Sequence, residues 1–181
     1  MTVHKSTPVV FLCLVFSLST SGQEKQPRSA NSSCREFVGK FYSWYLANAS
    51  KTRPGPASRI ALKYRSYLFD PALVQALKED DEAQEKAGSD LVSLDGDPFV
   101  GADGFSEGYV VEKVTVRDER CWAAVHAVWD GKEDEAPDVT AEVQSKNGAW
   151  RFVNFYFPSE SDPKGWDLLG ALKALRKDES R

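Results

Sequence analysis

The spacing of hydrophobic residues changes once along the chain, close to residue 108. Before that point, apolar side chains recur every three or four residues, which is the period of an α-helix. After it, apolar and polar side chains alternate, which is the period of a β-strand. The pattern therefore predicts helices first and an antiparallel sheet afterwards.

The first predicted helix is dense in aromatic side chains. A capping box, Ser33–Glu36, marks its start, and four rings recur on one stripe: Phe37, Phe41, Trp44 and Tyr45. An exposed helix cannot hide so many rings, so they line either a core or the wall of a ligand pocket. Core packing is the commoner arrangement, and we favour it.

Two further helices are predicted before the change of period. The second covers residues 58–68 and points three side chains inward: Ile60, Tyr64 and Tyr67. The third starts at Asp70–Pro71, where an aspartate can accept the first free amides and a proline lacks a donor that the first turn does not need. It is expected to end near Gly88.

Four strands follow: Tyr109–Val116, Cys121–Trp129, Val139–Ser145 and Trp150–Phe157. Asn147–Gly148, between the last two, is the strongest hairpin signal in the chain. A final amphipathic helix is predicted from Asp162–Pro163, with an apolar stripe of Trp166, Leu169, Leu172 and Leu175 and a basic C-terminal end. These elements predict an α+β domain, with the helices packed on a curled antiparallel four-stranded sheet.

The N-terminus has the pattern of an export signal. Lys5 precedes an apolar run, Val9–Leu18, which is too short to cross a bilayer, and the small residues Ser19–Gly22 follow. We predict cleavage near residue 22 and a periplasmic or secreted product. Cys13 follows Leu12, where a lipid-acceptor cysteine needs a small residue, so the product is not expected to be a lipoprotein.

The predicted organisation is a signal peptide over 1–22, a flexible leader over 23–32, a domain over 33–157 and a C-terminal helix within 158–181. Cleavage would take Lys5 from the 23 basic residues and none of the 27 acidic ones, which changes the formal charge from −4 to −5. That balance makes nucleic acid a poor partner. No second apolar run is long enough for a membrane, so no stable insertion is expected after cleavage.

Two cysteines, Cys34 and Cys121, would remain in the mature chain. An oxidising compartment favours a disulfide between them. The alternative is two separate buried thiols that pack as small hydrophobic side chains. Sequence leaves the choice open, because it cannot place the two Cα atoms within bonding range.

Four short segments carry a resemblance to a known family: Phe41–Leu46, Tyr67–Leu73, Asp97–Asp103 and Gly148–Val153. In this order they resemble the bacterial exported domain-of-unknown-function family 3828, within the nuclear-transport-factor-2-like, or cystatin-like, superfamily. The resemblance covers about residues 34–157. It implies a cone-shaped fold whose concave sheet face can hold a pocket, which some members use for isomerisation or dehydration of small apolar molecules and others do not. It implies no particular activity.

Two polar side chains on predicted strands are candidates for acid–base chemistry. Glu112 lies between Val110 and Val114 at period two, so it faces inward if those valines do. His126 is the only histidine after the signal, and it alternates with Trp122, Ala124 and Val128. A buried carboxylate beside rings could transfer protons, as the aspartate of cone-shaped isomerases does. A solvated carboxylate and a hydrogen-bonded sheet histidine are the alternatives, so catalysis is assigned to neither.

A ligand pocket would draw on the aromatic helix and its neighbours. The candidate lining residues are Phe41, Trp44, Tyr45, Tyr64, Trp122 and Asn154, the last as a possible donor. Asp97 and Asp103 bracket a loop and are expected to accept its backbone amides. Two carboxylates alone make a poor cation site, and no metal-binding or cofactor-binding motif is present, so neither a metal nor a cofactor is predicted.

Charge is unevenly distributed along the helical half. No acid lies between Glu36 and Asp70, where six residues are basic, whereas residues 79–107 hold ten acids and Lys86 alone. The two segments either pair within the molecule or attract a partner.

Together these features favour an exported binding module that uses a pocket or a sheet face for a small apolar ligand, an envelope protein or a second copy of itself. One alternative is a cofactor-free isomerase or dehydratase that uses Glu112 or His126. Another is an inhibitor or immunity-type protein that covers a toxic enzyme.

Overall fold

Helices pack on one face of an open antiparallel sheet. The computed structural model describes residues 29–49, 58–88, 92–101, 106–158 and 165–179. The α+β class predicted from the sequence is confirmed, whereas the cone shape and the family remain predictions. Among the described helices, none combines the length and the apolar character needed to span a membrane.

The helical layer contains α1 (Ala30–Ala49), α2 (Ser58–Arg65), a 3₁₀ turn (Ser66–Leu68), α3 (Pro71–Ala87) and α4 (Leu168–Glu179). The strands are β1 (Gly108–Arg117), β2 (Arg120–Trp129), β3 (Lys132–Glu133), β4 (Val139–Lys146), β5 (Ala149–Phe157) and β6 (Trp166–Asp167). Their order is β1-β2-β4-β5-β6, and β3 pairs with the end of β2. The four predicted strands are present, and β3 and β6 add two short ones.

Helix α1 begins at Ala30, not at the predicted capping box. The Ser29 hydroxyl accepts the Ser32 amide at 3.2 Å, which places Ser33 inside the helix. There the Ser33 hydroxyl donates to the Ala30 carbonyl at 3.0 Å and accepts the Trp150 indole N–H at 3.1 Å. The capping-box prediction is therefore wrong, because this serine serves a contact with the sheet that local sequence does not reveal.

Aromatic rings fill the space between α1 and the sheet. The Phe41 ring lies 4.7 Å from the Phe152 ring and 5.5 Å from each of the Tyr45, Phe69 and Phe99 rings, centroid to centroid. All five side chains are at most 2% exposed. The core interpretation of the α1 stripe thus holds for Phe41 and Tyr45.

The stripe is rotated relative to the prediction. Tyr42 is fully buried and its hydroxyl donates to the Phe99 carbonyl at 2.8 Å, although it was not placed on the inward face. Phe37 and Trp44 are only partly buried and pack on the edge of the core. These two rings therefore remain in contact with solvent.

The inward face of α2 differs from the prediction. Tyr64 and Tyr67 are 57% and 60% exposed, while Ala61 is buried and Ile60 is partly buried. The α-helix ends at Arg65 and continues as a 3₁₀ turn, which has three residues per turn instead of 3.6. The apolar spacing that assumed one helix to residue 68 therefore misplaced Tyr67, whereas Tyr64 lies within α2 on its exposed face.

The start of α3 joins the helical layer to the sheet. The Asp70 carboxylate accepts the Ala72 amide at 2.9 Å and Pro71 occupies the first turn, as predicted. The Asp70 amide itself donates to the Phe152 carbonyl on β5 at 2.8 Å. The helix ends at Gly88, whose φ of 68° suits glycine, also as predicted.

Two irregularities shape the sheet. The Asn147–Gly148 turn has φ values of 54° and 76°, which confirms the predicted hairpin. On β1, the register shifts between Val111 and Val114, so two residues oppose one on β2. Arg35 donates to the Val111 carbonyl at 2.6 Å beside this bulge.

The C-terminal helix starts later than predicted. Asp162–Pro163 lies outside the described residues, and Trp166 belongs to β6, where its ring stacks on Phe157 at 4.2 Å. Helix α4 then begins at Leu168, and the Asp167 carboxylate accepts the Gly170 amide at 2.8 Å. The basic last turn is as predicted.

A disulfide joins Cys34 of α1 to Cys121 of β2, with Cα atoms 6.6 Å apart. Both residues are fully buried. The bond closes a sequence separation of 87 residues, for which loop-closure entropy gives a stabilisation of about 4.6 kcal/mol. It fixes α1 on β2, next to the edge strand β1.

Replacing Phe41 and Trp44 by alanine separates a core ring from a partly exposed one. We expect Phe41→Ala to lower the free energy of unfolding by about 3 to 5 kcal/mol, because it leaves a cavity among five buried rings. Trp44→Ala should cost about 1 to 2 kcal/mol, since part of its surface stays in water. Urea unfolding of both variants measures the difference. Equal losses of unfolding free energy in the two variants would show that Trp44 belongs to the core.

Candidate functional site

The interior beneath α1, where the resemblance places a pocket, is occupied by side chains. Phe99 enters from the segment before β1 and contacts Phe41, Tyr45 and Phe69 at 5.2 to 5.5 Å between ring centroids. Phe155 closes the same cluster from the sheet. Phe41 and Tyr45 were candidates for a pocket lining, and in the structure both side chains are buried in the core, although Phe41 also borders a groove.

A partly buried hydrogen bond holds the Phe99 segment in place. The Tyr45 hydroxyl donates to the Asp97 carboxylate at 2.5 Å, and the other carboxylate oxygen accepts the Phe99 amide at 2.8 Å. Burial raises the pKa of Asp97, although the donated hydrogen bonds oppose that shift. Burial, and then the Asp97 charge, raises the pKa of Tyr45 far above its usual range. Asp97 thus accepts a backbone amide of its own turn and ties that turn to α1. Asp103 lies outside the described residues.

A solvent-facing groove lies between α1 and the 3₁₀ turn. Its volume is about 240 Å³. We call it the α1 groove, and it is lined by Phe37, Lys40, Phe41, Trp44, Arg65, Tyr67 and Leu68. All seven residues lie well inside described segments. Trp44, a predicted pocket residue, is in this groove, whereas the contributions of Arg65 and Tyr67 were not predicted.

Arg65 organises one side of the groove. Its guanidinium carbon lies 5.0 Å from the centre of the Trp44 ring, which is a cation–π contact. One guanidinium nitrogen, Nη1, donates to the Tyr67 hydroxyl at 2.6 Å. Trp44 of α1 and Tyr67 of the 3₁₀ turn therefore contact the same guanidinium.

Two larger concavities have more polar walls. One, about 460 Å³, lies between α3 and α4 and is lined by Glu79, Glu82, Lys86 and Arg176 beside small apolar residues. The other, about 580 Å³, is lined by the 134–138 loop and by Gly101 and Pro158, which adjoin segments outside the description. The α1 groove is smaller, but it presents the most aromatic wall.

The two acid–base candidates meet on the far face of the sheet, which we define as the face opposite α1. There the His126 Nε2 atom lies 3.2 Å from a Glu112 carboxylate oxygen, and Nδ1 lies 2.9 Å from the Asp134 carbonyl. His126 is buried, but the Glu112 side chain is 67% exposed. The inward orientation expected for Glu112 is wrong, because the β1 bulge shifts the alternation by one residue. Neither residue lines the α1 groove.

The remaining predicted pocket residues are dispersed. Tyr64 is exposed on α2, with the Lys63 ammonium 5.2 Å from its ring centre. Trp122 alternates with the buried Cys121 and Ala123, so it lies on the far face. The Asn154 amide donates to Asp167 at 2.8 Å while its oxygen accepts the Leu169 amide at 3.0 Å. These three residues therefore do not form one site with Trp44.

A buried carboxylate on the far face was not predicted. Glu142 is 4% exposed and accepts from Arg120 at 2.5 Å and from the Tyr156 hydroxyl at 2.7 Å. Burial and the bond to Glu142 raise the pKa of Tyr156 to about 12. The cluster joins β2, β4 and β5. Its partners come from different strands, so no local sequence signal identifies it.

Within the described ranges, no group of three or more His, Cys, Asp or Glu side chains is positioned to hold a metal ion. A scan against protein-family models, a search of curated proteins and a search of solved structures each found no match for this chain.

The raised pKa of Asp97 gives a pH dependence with a defined sign. Folded Asp97 holds its proton to a higher pH than unfolded Asp97, whose pKa is near 3.8. The contribution of Asp97 to stability is therefore greatest below that value and is lost as pH rises through the folded pKa. We expect the wild type to lose stability relative to Asp97→Asn from about pH 4 upward, as measured by urea unfolding across pH.

Asp95→Asn is the matched control, because Asp95 is an exposed aspartate of the same segment. Parallel stability curves for the wild type and Asp97→Asn would contradict the assignment of Asp97 as the buried, proton-retaining carboxyl.

Proposed function

We propose that this protein is an exported binding module that takes a small, largely apolar ligand in the α1 groove. The observation that carries the proposal is the partly exposed aromatic wall formed by Trp44, Phe37 and Tyr67 beside a core that is already filled. A ligand that covers these rings removes apolar surface from water, at about 25 cal/mol for each Å². The ligand does so without displacing core side chains.

The contacts of Arg65 support a preformed site. Trp44 is held from one side by the core ring of Phe41, 6.4 Å away, and from the other by the Arg65 guanidinium. Tyr67 is tied to the same guanidinium. Side chains that are fixed before binding lose less conformational entropy when the ligand arrives, so a small apolar area yields more affinity.

The proposal includes a fold and a compartment. Three helices before an antiparallel sheet, with α1 over β1 and β2, support the cone-shaped nuclear-transport-factor-2-like fold and membership of domain-of-unknown-function family 3828. The signal-like N-terminus supports export to the periplasm or beyond, and the Cys34–Cys121 disulfide is typical of an oxidising compartment.

An acid–base enzyme is the second candidate, and the 3.2 Å contact between Glu112 and His126 favours it. The pair is a weaker basis for function, because it does not line any of the three concavities described above.

The inhibitor alternative rests on segregated charge. Some of these charges form ion pairs within the molecule, since Arg59 pairs with Asp81 at 2.6 Å and with Glu85 at 2.7 Å.

Export is tested by expressing the full chain in a bacterial host and sequencing the N-terminus of the recovered protein. We expect a mature protein in the periplasm or medium that begins near Gln23, because the apolar run has the length of a signal peptide. A full-length chain with Met1 intact in the membrane fraction would contradict export.

Ligand binding is tested with the neutral probe 4-phenylbutan-1-ol, followed by amide chemical shifts. We expect the shifts to concentrate on α1 and the 3₁₀ turn. Trp44→Ala should weaken binding by about tenfold, or about 1.4 kcal/mol, because it removes the main ring of the wall. Tyr64→Ala, an exposed ring outside the groove, should leave the affinity unchanged. Shifts elsewhere, or equal affinities for the wild type and Trp44→Ala, would overturn the proposal.

A further inference from the structure

We infer that the α1 groove selects carboxylates, with Arg65 as the residue that binds the anionic end and the aromatic wall as the surface that holds the apolar body. The inference rests on the proposed function and names the ligand class. Its ligands are small monoanions with an aromatic or alkyl chain.

The first argument is the charge environment of Arg65. No carboxylate among the described residues lies within ion-pair distance of its guanidinium, whose interactions are the Trp44 ring and the Tyr67 hydroxyl. Arg120 and Arg176 differ, since Arg120 pairs with Glu142 at 2.5 Å and Arg176 with Asp80 at 3.1 Å. Arg65 therefore keeps a positive charge that the described protein does not neutralise.

The second argument is the geometry of that charge. A guanidinium has five N–H donors in a flat fork, and Nη1 already donates to Tyr67 at 2.6 Å. That bond and the stacking on Trp44 fix the plane of the fork at the groove, while Nε and Nη2 form no hydrogen bond with a described residue. A carboxylate matches such a fork with two parallel hydrogen bonds.

The third argument is the surrounding sequence. No acid lies between Glu36 and Asp70, so the segments that form both walls of the groove carry only basic charges. Lys40, at the edge of the groove, pairs with Glu36 at 2.7 Å, but its side chain is 74% exposed, and exposed pairs of this kind contribute little. An approaching anion thus meets a positive potential with little local competition.

Size and charge together limit the ligand. A volume of about 240 Å³ is below the usual range for drug-sized ligands, so the apolar body is short. One unpaired guanidinium balances one negative charge, which suits a carboxylate better than a phosphate dianion. The groove therefore fits an aryl-alkyl or short-chain alkyl acid.

The test compares two probes with the same carbon skeleton, 4-phenylbutanoate and 4-phenylbutan-1-ol, at about pH 7 by calorimetric or amide-shift titration. We expect the acid to bind about tenfold tighter than the alcohol, since hydrogen bonds to charged groups contribute more than neutral ones. Added salt should lower the affinity for the acid and leave the affinity for the alcohol unchanged. These wild-type measurements test the inference without any variant.

Three variants then test whether Arg65 causes the preference for the acid. Arg65→Gln should lower the acid-to-alcohol affinity ratio to about one, and Arg65→Lys should keep part of the preference, because it retains charge but loses the fork. Arg117→Gln removes an exposed arginine that does not line the groove and should keep the full ratio.

The outcomes separate the two proposals. Equal affinities of the wild type for acid and alcohol, or a preference that survives in Arg65→Gln, would overturn the carboxylate inference and leave the binding-module proposal intact. Failure of both probes to bind would overturn both.

Discussion

The contact between Phe41 on α1 and Phe152 on β5, 4.7 Å between ring centres, links the helical layer to the sheet. Phe152 also supplies the backbone carbonyl that receives the Asp70 amide, so one residue of β5 positions two helices. Because protein interiors are close-packed, rings in this position leave no room for a ligand among them. The proposed binding surface on this side of the molecule is therefore the outward face of α1.

A polar pair stabilises one particular arrangement of this aromatic core. Rings of similar size can pack in several ways, and the bond from the Tyr45 hydroxyl to the Asp97 carboxylate favours packings that keep these two groups together. Leaving either group unpaired in the core would cost roughly 1 to 3 kcal/mol, which disfavours the other packings. The disulfide acts on the same helix near its start, at Cys34. Helix α1 is thus fixed at both ends, and its outer face keeps a defined shape.

The sequence predicted those features whose deciding residues are neighbours along the chain. Asp70–Pro71 starts a helix and Asn147–Gly148 forms a turn because each effect acts within a few residues. Glu112 was misplaced because a bulge depends on how two strands align. Tyr67 was misplaced because the transition at Arg65 from α-helix to 3₁₀ turn is not visible in the spacing of apolar residues.

The candidate site was predictable only in part. The aromatic density of α1 drew attention to Trp44, but its partners come from a segment more than twenty residues later, and a side-chain contact with Arg65 brings them together. The absence of acids between Glu36 and Asp70 was the available signal, since it predicts that a cation in this segment lacks a local counter-charge. The distance between ring and guanidinium had to come from the structure.

The bulge on β1 has a consequence for self-association. Strand β1 ends the described sheet, and its outer edge presents backbone groups that another strand could pair with. The extra residue at Glu112–Lys113 interrupts the regular ladder there, both side chains are exposed and charged, and Arg35 already occupies the Val111 carbonyl. A second molecule that approached this edge would meet an irregular and partly occupied row of donors and acceptors. These features disfavour the addition of a further strand at this edge of the sheet.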